Sequence, residues 1–99
     1  MEQLNSVLIQ GVLVEDARKE RGKPCRLTVR NIRGERELTI DLFYKGRFRA
    51  TTIANLKAGT DIKVVGSLEY GKDGVYVLVK HIEYKVDRVT KYIDAKEDK

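Results

Sequence analysis

Between Cys25 and Ile32 the sequence alternates: Cys25, Leu27 and Val29 fall on one side of an extended chain, and Arg26, Thr28 and Arg30 on the other. Helical apolar positions recur every three or four residues, so a period of two excludes a helix and specifies a strand with one buried and one solvated face. The solvated face is basic. Asn31 to Arg36 contains Gly34 and reads as a hairpin turn, after which Leu38, Ile40 and Leu42 alternate with Glu37, Thr39, Asp41 and Phe43. A hairpin follows in which Leu27, Val29, Leu38, Ile40 and Leu42 face the core and the outer face carries arginines and one phenylalanine.

Other segments extend the pattern. Asn5 to Glu15 is rich in Val, Leu and Ile around Gly11 and reads as a first strand with a bend or bulge at the glycine. Asp16 to Pro24 is a charged loop. Arg47 to Leu56, anchored by Phe48, Ile53 and Leu56, reads as a short helix or irregular crossover, because the Thr51-Thr52-Ile53 run disfavours a longer helix and Gly59 stops it. Asp61 to Tyr70 and Val75 to Lys85 are a fourth and fifth strand joined by the Gly71-Lys72-Asp73-Gly74 turn. Val86, Val89 and Ile93 are spaced between helix and strand periods, and a polar tail is expected over 94–99.

Three strands, a crossover and two more strands predict a mainly all-β chain with the five-stranded Greek-key barrel of the OB-fold, over residues 1–93. An SH3-like barrel or a small sandwich has a similar strand count; the crossover after the third strand favours the OB-fold. Strands 1 and 5 are apolar on both faces, which predicts a homo-oligomer, dimer or tetramer, with a second subunit covering the excess.

The 99 residues carry 20 Lys+Arg against 15 Asp+Glu, a net charge of +5. The excess is local: residues 18–49 hold eleven basic residues, mostly Arg, against four acids, so that segment carries +7 and the remainder −2. Arginine favours phosphate forks and base stacking, so an anionic polymer is the expected partner. Lys and Arg also protect strand edges, which is the competing explanation. Arg26, Arg30 and Phe43 share the outward phase of adjacent strands, the combination of cation and aromatic that single-stranded nucleic acid requires. For Phe43 the other open role is packing at a subunit interface. Tyr70 and Tyr76 flank the last turn and read either as an arm closing over a strand or as ordinary sheet-surface tyrosines. Tyr44 and Tyr84 are phased toward the core, and Cys25 reads as a small buried hydrophobe.

No catalytic constellation is visible: there is no Ser/His/Asp or Cys/His pairing in phase and no phosphate-binding glycine loop. One Cys and one His cannot close a zinc site, and neither cofactor nor metal is expected. No stretch approaches a membrane span, Met1-Glu2-Gln3 offers no basic leader, and a cytoplasmic location is expected.

Several short motifs in order resemble the bacterial single-stranded DNA-binding protein family. Asn5-Ser6-Val7-Leu8-Ile9-Gln10-Gly11-Val12-Leu13 with Asp16 and Arg18 is similar to its opening strand and turn. Ile40-Asp41-Leu42-Phe43, Gly46 and Leu56-Lys57-Ala58-Gly59 resemble its strand-helix-glycine crossover. Ile62 to Leu68, then Asp73-Gly74 leading to Val79 through Tyr84, resemble its last hairpin. The likeness covers about 80 residues. It implies base stacking at Phe43 and near Tyr70. Four departures are read against the resemblance: there is no Trp, Glu37 lies where a third stacking aromatic is implied, the turn reads Asp16-Ala17-Arg18 without the usual Pro-Glu, and Asp94-Ala95-Lys96-Glu97-Asp98-Lys99 is expected to stand in place of the long acidic-tipped tail that recruits replication proteins. Short variants of the primosomal replication protein type, or phage and mobile-element versions, fit best.

The resulting expectation is sequence-independent binding of single-stranded DNA, with RNA a poorer ligand, in DNA replication, recombination or transfer, without enzymatic activity. The candidate contact residues are Arg26, Arg30, Arg33, Phe43, Arg47, Arg49, Tyr70, Lys72 and Tyr76. The alternative is a protein-interaction module of a replication or mobile-element complex that keeps the barrel as a scaffold.

Overall fold

In the structure, a computed structural model describing residues 3–47 and 49–94, the alternation at 25–30 becomes a barrel wall. Strand β2 (Cys25–Arg33) buries Cys25, Leu27 and Val29 and pairs antiparallel with β3 (Arg36–Tyr44), which buries Leu42 and Tyr44. Strand β1 (Val7–Leu13) runs antiparallel to β4 (Asp61–Gly71) along Val7 to Val12, then takes up β2 through Val12↔Arg30 and Leu13↔Val29. The handover sits at Gly11, where a Cβ would lie 2.2 Å from the Arg30 carbonyl oxygen. Only glycine lets the two backbones approach so closely.

Strand β5 (Gly74–Val86) pairs antiparallel with β4 and closes the barrel by a short parallel contact with β3, Leu42↔Val77 and Phe43↔Leu78. The ring β1-β2-β3-β5-β4 is the five-stranded barrel expected from the sequence. The register of β4 and β5 shifts between Val65 and Gly66, and a Cβ at Gly66 would meet the Leu78 carbonyl at 2.4 Å. That bulge switches the phase of β5, so Val77 and Val79 before it and Ile82 and Tyr84 after it all reach the core.

Helix α1 (Ala50–Ala54) is a single turn between β3 and β4, with Ile53 fully buried and Leu56 beneath it. The third anchor expected there, Phe48, lies outside the described residues. The segment after Val86, ambiguous in sequence, is a sixth strand, β6 (Val89–Asp94), hairpinned to β5 through Asp87 and Arg88. Both turn residues have positive φ, 51° and 67°, the backbone that follows the twist of a hairpin. Ile93 returns to the core. Asp94 therefore ends a strand, and the rest of the polar tail expected over 94–99 lies outside the described residues.

One core expectation needs correction. Leu38 is 52% exposed and Ile40 only partly buried, because the β2–β3 hairpin outruns the strands that cover it. Part of the apolar excess in β5 is explained by the bulge and by β6, whereas Leu8 on β1 remains 63% exposed. No helix among the described residues is long and apolar enough to cross a membrane.

Candidate nucleic-acid interface

Arg26 and Phe43 are register partners, so the cation and the aromatic stand side by side on the outer face. Phe43 also lies beside Leu78 in the parallel contact, which brings Tyr76, two residues earlier on β5, to the same face. The rings of Phe43 and Tyr76 meet edge to face, with centroids 5.8 Å apart at 86°. Lys45 Nζ lies 4.8 Å from the centre of the Tyr76 ring and donates a hydrogen bond to its hydroxyl. The aromatic pair thus carries a fixed positive charge on one flank.

These residues form the floor of an open groove of about 550 Å³. One bank is the loop between β1 and β2, with Arg18, Glu20, Lys23 and Pro24; the other is the β4–β5 hairpin from Tyr70 to Val75. The loop is tied down by backbone hydrogen bonds between Arg18 and Arg26 in both directions. Asp16 also accepts a hydrogen bond from the Ala58 amide at 2.9 Å. Five cations face the groove, Arg18, Lys23, Arg26, Lys45 and Lys72, against two acids, Glu20 and Asp73. The hydrogen bond and charge of Lys23, 3.0 Å away, with smaller contributions from Arg18 and Arg26, hold the Glu20 carboxyl below the usual range. Arg26 is not saturated by the protein: one guanidinium nitrogen lies 3.7 Å from Glu15, and the enclosed Nε has no hydrogen-bond partner.

Of the nine candidates, the fold gathers Arg26, Phe43, Tyr70, Lys72 and Tyr76 at this groove. Tyr70 pairs with Val75 and so lies on the opposite face of the hairpin from Tyr76; it is 89% exposed and reaches the groove at its rim. Arg30 lies further along the outer face of β2, 3.3 Å from Glu37. Arg33 is at the far end of the hairpin, beside a second concavity with Asn31, Arg36 and Leu38. Arg47 and Arg49 lie in the connection to α1, outside both concavities, and Arg49 has a positive φ of 56° as the residue before the helix. Lys45, Arg18 and Lys23 were missed as individual residues. Lys45 was findable, since it stands two positions after Phe43.

Elsewhere, Cys25 is buried, and loss of solvation pushes its thiol pKa up against a small opposing effect of Lys19. No group of three or more metal-ligating side chains occurs among the described residues.

No protein-family model and no curated relative matches the sequence. Solved structures do match. The SSB domain of a Synechococcus sp. protein superposes with a TM-score of 0.64 at 13% identity, covering 83% of this chain and 97% of that one. A chain of the S. pombe Stn1-Ten1 complex gives a TM-score of 0.60 at 16% identity, covering 85% and 60% respectively. Identities this low establish likeness of fold alone. The chain is an OB-fold, with a closed five-stranded barrel and one short helix, of the kind seen in SSB domains.

Proposed function

We propose that this chain binds single-stranded DNA without sequence preference, as the bacterial single-stranded DNA-binding proteins that its motifs resemble do. The observation that carries the reading is the Phe43–Tyr76 pair, flanked by Lys45 and Arg26 on the floor of a groove lined by five cations. Bases stack on the aromatic faces, each contributing roughly 1–3 kcal/mol, while Arg18, Lys23, Arg26, Lys45 and Lys72 take the phosphates. Tyr70 closes over the strand from the rim. Arg30 and Arg33 extend the path along the hairpin for longer strands, and Arg47 and Arg49 are peripheral contacts. Every base has a π face, so stacking selects single strands over duplex without selecting sequence. RNA is the weaker ligand. The chain acts without catalysis or cofactor, in the cytoplasm, in replication, recombination or transfer.

Residues 1–93 form the binding domain in this reading. Exposed Leu8 on β1 and Leu4 before it favour assembly into a dimer or tetramer.

Fluorescence anisotropy with labelled oligo-dT and a duplex of equal length tests the proposal. The expected result is micromolar or tighter binding of dT, much weaker binding of duplex, and a slope of log K against log salt of about −2 to −3.5 for three to five phosphates. No binding of dT, or a flat salt response, overturns it and leaves the barrel as a protein-docking scaffold.

A further inference from the structure

Both arginines on the outer face of β2, Arg26 in the groove and Arg30 beyond it, already face a carboxylate. Glu15 Oε1 lies 3.7 Å from Arg26 Nη2, and Glu37 Oε1 lies 3.3 Å from Arg30 Nε. Glu15 follows the end of β1; Glu37 is on β3, diagonal to Arg30 across the hairpin. Thr28, midway between the two arginines, faces carboxylates as well, with its hydroxyl 2.7 Å from Asp41 and 3.2 Å from Glu15. The four paired side chains are between 33% and 56% exposed, so a phosphate in solution competes directly for both guanidinium groups. A ligand that engages Arg26 or Arg30 through the remaining guanidinium N–H groups meets a carboxylate beside them, which repels it.

We propose that Glu15 and Glu37 are specificity-determining residues that weight this face against double-stranded DNA; the inference rests on the single-strand reading above. Repulsion by a fixed carboxylate grows with the charge density of the ligand. A duplex carries one charge per about 1.7 Å of axis, about twice the density of one strand. Its bases are stacked inside and cannot reach Phe43 or Tyr76, so it depends on phosphate contacts alone. A single strand is anchored by stacking in the groove and is flexible enough to turn its phosphates away from Glu37. The two carboxylates therefore penalise the duplex more than the single strand.

The test compares Glu15→Gln/Glu37→Gln with Glu83→Gln/Asp87→Asn, which removes the same charge from β5 and its following turn, away from Arg26 and Arg30. Affinities for labelled oligo-dT and for a duplex of equal length are measured by anisotropy at one low salt concentration. The expected result for Glu15→Gln/Glu37→Gln is duplex binding tightened about five- to tenfold and dT binding about two- to threefold, as two fixed charges in a screened solvent allow. The control is expected to move both by less than about twofold, with their ratio unchanged. Equal tightening of both ligands, or no change, overturns the proposal. Wild-type protein that binds neither ligand overturns the single-strand reading itself, whereas dT binding with an unaltered ratio overturns the role of the carboxylates alone. Should the double variant fail to fold, Glu37→Gln, whose pair with Arg30 is solvent-exposed, carries the same test and must lower the selectivity in the same direction.

Discussion

The β2–β3 hairpin has two ends that follow one alternation and meet two environments. At the barrel end Cys25, Leu27, Val29, Leu42 and Tyr44 are all 3% exposed or less. At the outer end Leu38, on the same face, is 52% exposed. The difference lies in the neighbours. Among the described residues the β1–β2 ladder pairs only Val29 and Arg30 of β2, and the β3–β5 ladder only Leu42 and Phe43 of β3, so the strands that close the barrel stop short of the last turn of the hairpin. Alternation determines which side of a strand faces the interior; closure of the barrel determines how much of it is interior.

The largest effect that separates the two ends is on stability. Leu27→Ala empties a fully enclosed site and is expected to cost about 2–5 kcal/mol in urea unfolding, whereas Leu38→Ala should cost less than about 1 kcal/mol. Equal costs would break the comparison and mean that a second subunit covers the hairpin end in solution.

The same contrast explains what was legible in the sequence. Faces, turns and strand order follow from local chemistry: the alternation at 25–30, the glycines at the turns and the β-branched run that shortens α1 all say what they become. Leu38 has the inward phase yet is exposed, because its cover depends on where β1 departs, which is decided across the barrel. Strand β6 was ambiguous because its turn uses Asp87-Arg88, which lacks the Asn-Gly or Asp-Gly signal of a positive-φ hairpin. For the site, phase alone put Arg26 beside Phe43. The meeting of Phe43 with Tyr76 needed the parallel β3–β5 contact, which is far apart in sequence and carries no local mark. The carboxylates beside Arg26 and Arg30 carry no local mark either, since Glu15 lies in the loop after β1 and Glu37 meets Arg30 only diagonally across the hairpin.

A second test uses two glycines. Gly11→Ala at the barrel end places a Cβ 2.2 Å from the Arg30 carbonyl and is expected to destabilise by about 1–3 kcal/mol as β1 is forced away from β2. Gly34→Ala at the outer end meets nothing within 4 Å. Its cost comes only from the left-handed backbone, φ 59°, and should be roughly 1–2 kcal/mol. Thermal melts of the two variants sharpen the contrast if Gly11→Ala also changes near-ultraviolet dichroism and Gly34→Ala does not.

On binding, Phe43→Ala is expected to weaken oligo-dT affinity by roughly 1–3 kcal/mol, the loss of one stack, with the salt slope nearly unchanged because stacking displaces no counterions. Ile32→Ala, in the same outward phase at the other end of the hairpin, should leave affinity for a short oligonucleotide alone. Phe43→Ala protein that unfolds, or that loses its assembly while binding normally, would reassign Phe43 to packing.

The smallest effect is in the salt slope, and it shows how far along the hairpin the strand runs. Arg26→Ala removes one groove phosphate contact and should reduce the magnitude of the slope by about 0.7 for an oligonucleotide of any length. Arg33 is the direct register partner of Arg36, two like charges face to face at the open end. Replacing it should slightly stabilise the free protein, by a few tenths of a kcal/mol. For an oligonucleotide of about four nucleotides, the lower limit of an OB-fold footprint, Arg33→Ala should leave the slope untouched; for one of about sixteen it should reduce it as Arg26→Ala does. A change at both lengths would mean that the hairpin end, rather than the groove, holds the first phosphates. A change at neither would end the path at Arg30, where the Glu37 carboxylate stands in the way.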